Sequence, residues 1–567
     1  MSVQKRRDGA LNMSVLIALL VTTLIALQLW LWWPSIHSPH FHNEDTAGIT
    51  YSADLLLRGG VPLRDTAEMK APGAFFMLAA WWSVVGRSLE SAQALMALWS
   101  LLGALGLALS SWWLTRSLIS ASLTALLWVS LSPYTGSLDI NYGAWMITPY
   151  LWSIALLLKG VSSSKKERLS LWPWVGAGAL MTLAALFKRQ AVVLVPLICL
   201  GAALSEGSWR ARLSRLVASG LSALFAFSPI ALWYASRGAL SEWLSSYALS
   251  ESGWRYVQGG GQSALSAGER WVRVGDGLLG LWAYFRAPLT LALLSTVFGV
   301  WLTRGSAAAR WRHARSALLL WSATLCAFVG ASLGWRYFKG YYLQLLPSLL
   351  LLATLCVPLL TARLRAWRAS PASSSPASSS LSAPLILSLT LALVFSVMTL
   401  THDLQQSSSA RKARARALYL PTVEAERVSE WLKHHQREGD ELWVWGRWGW
   451  PIYFHTALSS PTRYYKSLGV LTTQLTNTWM RAGGRVSFNP NGPWREAIAE
   501  LKASPPRFIV MAKNEDASGF KALQELLRER YQEVATSELK LARPQHKLFK
   551  VYELSAASPL RHTQSDR

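Results

Sequence analysis

The chain has 567 residues, 51% hydrophobic and only 15% charged, with 31 tryptophans and a formal net charge of +25. That balance excludes an ordinary soluble globular protein. It also excludes a nucleic-acid partner as the meaning of the charge, because Lys and Arg fall in clusters between apolar runs, the pattern of cytoplasmic membrane loops.

Apolar runs of about 20 residues recur, each long enough to cross a hydrocarbon core of about 30 Å. They predict a polytopic α-helical membrane protein. The first run is too long for a signal peptide and lacks a small-residue cleavage site, which predicts an uncleaved helix over 12–34. The basic clusters are Lys5-Arg6-Arg7, Arg116, Lys165-Lys166-Arg168, Arg210-Arg212-Arg215, Arg304-Arg310-Arg312-Arg315 and Arg363-Arg365-Arg368. About eleven transmembrane helices place all of them on the cytoplasmic side. The spans are 12–34, 90–114, 117–133, 143–160, 171–187, 190–205, 215–236, 279–302, 316–334, 341–360 and 384–401, with the N-terminus inside and the C-terminus outside. The apolar piece 73–86 is left over. At 1.5 Å per residue it reaches roughly 21 Å, too short to cross, and it reads as a surface helix. If it crossed, every basic cluster after Arg7 would lie outside.

Two large outer loops follow, 35–89 and 237–278, the second with GGGQS at 259–263. SPASSSPASSSLSAP at 370–384 reads as a low-complexity cytoplasmic connector. The transmembrane domain is placed at 1–401. After it, 402–567 reads as an outer, periplasmic α/β domain, with helices in VEAERVSEWLKHHQRE and FKALQELLRERY and strands in DELWVWG, RFIVMAK and LFKVYEL. The three cysteines, Cys199, Cys326 and Cys356, lie in apolar segments and form no disulfide or metal pattern.

The first outer loop carries the chemistry. Residues 42–73 hold five acids, Glu44, Asp45, Asp54, Asp65 and Glu68, whereas the next 328 residues hold eight. A carboxylate near a bilayer costs several kcal/mol and is a functional candidate by default. Asp45, beside Glu44, lies about ten residues past the first helix and suits a general base acting on a hydroxyl or amine. Lys70 suits a phosphate oxyanion at headgroup level. Together they suggest transfer of a group from a lipid phosphate; ordinary solvated loop charges are the plainer alternative.

The loop resembles a family. Asp45, Gly48, Tyr51-Ser52-Ala53, Leu57-Arg58-Gly59-Gly60-Val61-Pro62, Arg64-Asp65, Lys70-Ala71-Pro72-Gly73 and Gly86 are similar to the first outer loop of the type-C (GT-C fold) integral-membrane glycosyltransferases. The bacterial branch related to protein O-mannosyltransferases and lipid A aminoarabinose transferases is the nearest in pattern. GWRYFKGYYLQLLP at 334–347 resembles the family's aromatic approach to a late helix. The resemblance implies a bacterial inner-membrane enzyme with a polyprenyl-phosphate sugar donor, a lipid, glycan or protein acceptor, and inversion at the anomeric carbon. Asp45 aligns with the family's base, with Glu44 in reserve. Asp65 aligns with a second acid that positions substrate or braces the loop, and Lys70 with the phosphate-contacting lysine. Ala71 stands where the family more often has Pro.

Further candidates are Lys188-Arg189, outer cations that hold phosphate or snorkel, and Arg336, Lys339 and Tyr342, which bind phosphate and sugar or form an aromatic belt. The family often has His near Lys339. Asp139 reads as a turn residue or a help to the acceptor site. His37, His40 and His42 raise the alternative of a divalent metal beside the base; loop histidines are the simpler reading, and no cofactor is assigned. The run WVWGRWGWP at 443–451, with Tyr453, Tyr464 and Tyr465, is aromatic enough to contact sugar. GxxxxGKS and HExxH patterns do not occur, which argues against a nucleotide-driven transporter and a zinc protease. The rival functions are a polysaccharide polymerase or ligase with a diphosphate-linked donor, and a scaffold or transporter for lipid-linked glycans. A transporter would place ionisable groups near the midplane, and these spans hold few acids.

Overall fold

A computed structural model describes the chain apart from residues 1, 39, 69, 163–169, 248–264, 370–382, 417–419, 474–477, 479, 482–483, 536, 538, 540–547 and 556–567. The GGGQS segment and nearly all of the 370–384 connector lie outside the described residues.

Among those residues eight helices are long and apolar enough to cross a membrane: Ile17–Ile36, Leu89–Thr115, Leu118–Thr135, Tyr142–Ser162, Trp209–Ser236, Ala267–Leu302, Ala307–Ser332 and Leu346–Arg363. They correspond to eight of the eleven expected spans. Two more, 171–187 and 190–205, are the shorter apolar pieces Trp172–Phe187 and Arg189–Leu204. At 16 residues each reaches only about 24 Å. The remaining one falls in the helix Ala383–Arg416, which continues through the boundary expected at 401.

The first loop holds two helices rather than one. After α1 (Ser2–Ile36) come α2 (Glu44–Leu57) and α3 (Gly73–Val85), then α4 (Leu89–Thr115). Asn43 caps α2 by accepting the Asp45 N–H at 2.8 Å, and Glu44 and Asp45 occupy its first turn, where the helix dipole favours carboxylates. The short helix expected over 73–86 is α3.

Small residues and hydroxyls set the helix packing. Beyond α5 (Leu118–Leu131) lie α6 (Tyr142–Ser162), α7 (Trp172–Phe187), α8 (Pro196–Leu204) and α9 (Trp209–Ser236). A side chain at Gly103 would come 2.9 Å from Thr148 Oγ1, and one at Gly106 3.0 Å from the Trp152 ring, so α4 and α6 approach closely. Thr148 Oγ1 donates to the Trp99 carbonyl at 2.7 Å and Trp152 Nε1 to that of Leu102 at 2.9 Å. Ser153 ties α6 to the Ala177 carbonyl of α7 at 2.8 Å, and Ser219 ties α9 to that of Trp174 at 3.0 Å. Lipid tails give no hydrophobic drive between helices, so close packing and such bonds hold the bundle.

Before the C-terminal region, the described 3₁₀ turns Ser132–Thr135, Arg189–Leu194 and Lys339–Gln344 interrupt the regular helices. Pro196 and Pro347 open the α-helices after the last two, because proline suits a first turn and cannot continue an earlier one. The chain goes on through α10 (Leu240–Tyr247), α11 (Ala267–Leu302), α12 (Ala307–Ser332), α13 (Leu346–Thr354), α14 (Val357–Ala369) and α15 (Ala383–Arg416). α11 starts well before the expected 279.

The C-terminal region is a four-stranded sheet between helices. α16 (Leu420–His435) precedes β1 (Leu442–Trp445); α17 (Pro451–Thr456), α18 (Trp494–Ala503), β2 (Phe508–Ala512), α19 (Lys521–Arg530), β3 (Tyr531–Glu533) and β4 (Phe549–Leu554) follow. The strand order is β1-β2-β4-β3, with β1 and β2 parallel and the other pairs antiparallel. Alternation along β1 builds two cores. Leu442 and Val444 pack with Ala425, Val428 and Leu432 of α16, while Trp443 and Trp445 pack with Leu501 of α18 and Leu523 of α19. The three expected strands are β1, β2 and β4; α17, α18 and β3 are additional.

This region sits on the first loop. Ala67 N–H donates to the Arg463 carbonyl at 2.7 Å, Arg58 to that of Ala457 at 2.9 Å, Arg87 to that of Phe454 at 2.8 Å, and Thr422 to that of Phe41 at 3.1 Å. Tyr51 stacks on Tyr465 with ring centroids 4.1 Å apart, and its hydroxyl accepts the Ser460 N–H at 3.0 Å.

Candidate functional site

The first turn of α2, the start of α6 and the break between α7 and α8 converge. Successive residues of an α-helix point about 100° apart, so Glu44 and Asp45 face different directions. The charge of Asp45 acts on Lys188, and on Tyr142 after that of Glu68. Lys188 ends α7 in extended backbone, which turns its side chain toward the loop, and its ammonium lies 4.6 Å from the Tyr341 ring centroid. Lys70 lies 5.5 Å from the centre of the Tyr142 ring, and its charge also acts on Lys188. The charge of Arg189 reaches Tyr142 too. Burial, reinforced by Lys70 and opposed by Asp45, lowers the Lys188 ammonium to about 7. Among the described residues, the buried Tyr142 hydroxyl has no hydrogen-bond partner. Asp45 and Glu68 therefore stand among several cations, an arrangement suited to a phosphate anion beside a proton acceptor.

Asp139 fixes the carboxylate's helix. It is buried; its Oδ2 accepts from Asn43 Nδ2 and its Oδ1 from Thr46 Oγ1, each at 3.1 Å. Arg414 of α15 lies 3.4 Å away. Asn43 and Thr46 flank Asp45 in sequence, so Asp139 clamps the turn that carries it, which is more than a turn residue does. Removing one partner of a buried ion pair strands the other. Asp139→Ala is expected to cost about 3–5 kcal/mol of stability, whereas Asp516→Ala, at the exposed Arg485 pair, costs under about 1. Chemical denaturation in mild detergent checks this.

Other predicted residues are placed differently. Asp65 accepts the Val61 N–H at 2.7 Å and pairs with Arg64 at 2.6 Å, and Arg64 in turn donates to the Arg237 carbonyl at 3.1 Å. These bonds brace the loop. Tyr342 is buried and its hydroxyl donates to the Gly277 carbonyl at 2.9 Å, which anchors α11. Lys339 lies 4.1 Å from the Tyr134 ring centroid, and Lys188 covers the Tyr341 ring of the same turn. Arg336 stands in a strained stretch, where Trp335 and Tyr337 adopt φ of 57° and 48° beside Gly334 at 83°.

The histidines part company. His37 bonds the Trp33 carbonyl at 2.9 Å, His40 pairs with Glu426 at 2.5 Å, and burial lowers His42 to about 4. Among the described residues, no group of three His, Cys, Asp or Glu is arranged to hold a metal ion. Of the aromatic run, Trp443 and Trp445 spend their N–H groups on the Tyr464 and Glu515 carbonyls, as a buried strand does.

Sequence reasoning counted Glu68 among the loop acids but missed Lys466 and the pairing of the two. Both are buried and form an ion pair; Tyr465 OH also donates to Glu68 at 2.9 Å, and Glu68 accepts the Lys70 N–H at 3.2 Å. Gly48, in the middle of α2, was the available signal: a side chain there would occupy the Lys466 ammonium's place.

No family model and no curated protein matches the sequence. Solved structures do. ArnT from Cupriavidus metallidurans bound to undecaprenyl phosphate superposes with a TM-score of 0.54 at 14% identity, over 95% of this chain and 98% of that one. The chain has the type-C glycosyltransferase fold. The apo oligosaccharyltransferase of Archaeoglobus fulgidus shares the type-C fold with it at a TM-score of 0.54 and 11% identity, over 87% of this chain and 69% of that one. Apo ArnT gives 0.53 at 14% identity over 94% and 97%. Within this fold, the Asp45 cluster lies where the first loop, the α7–α8 break and the Lys339–Gln344 turn come together.

Proposed function

We propose that the protein transfers a hexosyl or pentosyl group from a polyprenyl-phosphate donor to a lipid, glycan or protein acceptor, at the outer face of the inner membrane. The observation that carries this reading is Asp45 set against Lys70 and Lys188 on one end of the bundle. The acceptor oxygen or nitrogen attacks the anomeric carbon as the carbon–oxygen bond to phosphate breaks. Its proton goes to Asp45 and the electron pair leaves on the polyprenyl phosphate, whose added negative charge Lys70 and Lys188 meet. Attack opposite the leaving group inverts the centre. The outer location is supported by the arginines at the far helix ends, Arg210, Arg212, Arg304, Arg310, Arg312 and Arg363. The C-terminal sheet domain then stands outside, over the site.

Lys188 gives a pH test. Its ordinary ammonium is charged to about pH 10.4, but here burial lowers it to about 7. A phosphate anion favours the charged form, so binding takes up a proton above pH 7. Affinity for undecaprenyl phosphate is expected to fall between pH 7 and 9, by up to about ten-fold per unit. Lys188→Met should flatten that slope. A wild-type affinity constant over this range overturns the role. The function itself is tested with purified protein, extracted lipid-linked sugars and labelled envelope acceptors, scoring release of polyprenyl phosphate with each sugar transferred.

A further inference from the structure

Lys466 reaches the catalytic loop from 398 residues away. Its ammonium pairs with Glu68 in a setting closed by Gly48, by the Trp450 ring at 5.0 Å and by the Tyr465 ring at 5.4 Å. Glu68 and Lys466 are each 7% exposed, so neither charge can turn to water. Glu68 also holds the backbone N–H of Lys70, two residues on, at 3.2 Å. Its charge and that of Asp45 both act on Tyr142, the ring beneath the Lys70 ammonium. A buried carboxylate without a partner recruits the nearest cation, because the cost of an uncompensated buried charge exceeds that of moving a flexible side chain. Lys70, two residues along the chain and over the ring on which the Glu68 charge acts, is a cation placed to answer it.

We infer that Lys466 is a positioning residue: by occupying Glu68 it leaves the Lys70 ammonium for a lipid phosphate, so the membrane site is complete only with the C-terminal domain seated on it. This rests on the proposed phosphate role of Lys70. Gly48 makes the seat. It needs no unusual backbone there; it simply lacks the side chain that would collide with Lys466 Nζ and Cε.

The test measures binding of undecaprenyl phosphate, with uncharged undecaprenol as control, to the full-length protein in nanodiscs. Lys466→Met is expected to weaken phosphate binding about ten-fold, because Glu68 then captures Lys70. Glu68→Gln/Lys466→Met removes the captor as well, keeps an amide oxygen for the Lys70 N–H, and should return to within about two-fold of wild type. A tether with no bearing on Lys70 would not show that recovery. Gly48→Ala keeps every charge and denies Lys466 its place; it should weaken binding about five-fold, and it carries the test if Lys466→Met does not fold. Wild-type affinity in both Lys466→Met and Gly48→Ala overturns the inference while leaving the transferase reading intact, as does a double variant no better than the single. A wild-type protein that binds undecaprenol as well as its phosphate overturns the polyprenyl-phosphate reading, and this inference with it.

Discussion

Asp45→Asn is expected to lower the turnover number by about 10²–10⁴-fold, the usual worth of a positioned general base. The asparagine keeps the size of the side chain, and the cap at Asn43 bonds the backbone of residue 45 rather than its carboxylate, so α2 should keep its start. Well below pH 7, where Lys188 keeps its proton without help from Asp45, binding of undecaprenyl phosphate should hold or tighten, because one negative charge leaves the neighbourhood of the phosphate. A loss confined to turnover separates a base from a folding residue. Glu44→Gln is the control. Glu44 belongs to the same turn but leaves the helix about 100° round from Asp45. Its turnover should stay within about three-fold of wild type, since no proton transfer is removed. The reverse ranking would make Glu44 the base.

Lys70→Met should lower kcat/KM for the donor by about 100-fold. A charge-assisted contact to phosphate contributes about 1.5–3 kcal/mol, and more as the leaving group gains charge. Because that charge grows in the transition state, part of the loss should fall on kcat and not only on KM. Lys70→Arg should recover much of the loss through its permanent charge, though the guanidinium spreads that charge over a wider plane. Lys70 is exposed, so removing it costs the fold little, and unchanged unfolding of Lys70→Met is expected alongside its kinetic defect. A Lys70→Met enzyme with wild-type kcat/KM would remove the phosphate role.

Much of this arrangement was legible in the chain, for definable reasons. Apolar runs of membrane length mark helices whatever packs beside them, so the long spans stand where hydropathy puts them. Asp45, Lys70 and Lys188 are each conspicuous because charge is rare in their surroundings, and the structure brings these three together. α2 escaped notice although Asn43 followed by Glu44 and Asp45 is a helix start. The glycine at 48 and the polar sequence around it read as loop, yet they mark the face that the C-terminal region covers. Asp65 and Tyr342 show partners that no sequence pattern reveals: Asp65 bonds the Val61 N–H and the Arg64 guanidinium, and Tyr342 the Gly277 carbonyl. The pairing of Glu68 with Lys466 is invisible for a simpler reason: it joins two regions that only the folded chain makes neighbours.

The most direct measurement is a mass profile of envelope glycans and lipid A from three strains: gene deleted, complemented with wild type, and complemented with Asp45→Asn at equal protein level. The predicted result is one sugar mass that disappears on deletion, returns with wild type and stays absent with Asp45→Asn; that mass names the sugar. Full restoration of the profile by Asp45→Asn would contradict the assignment of Asp45 as the base.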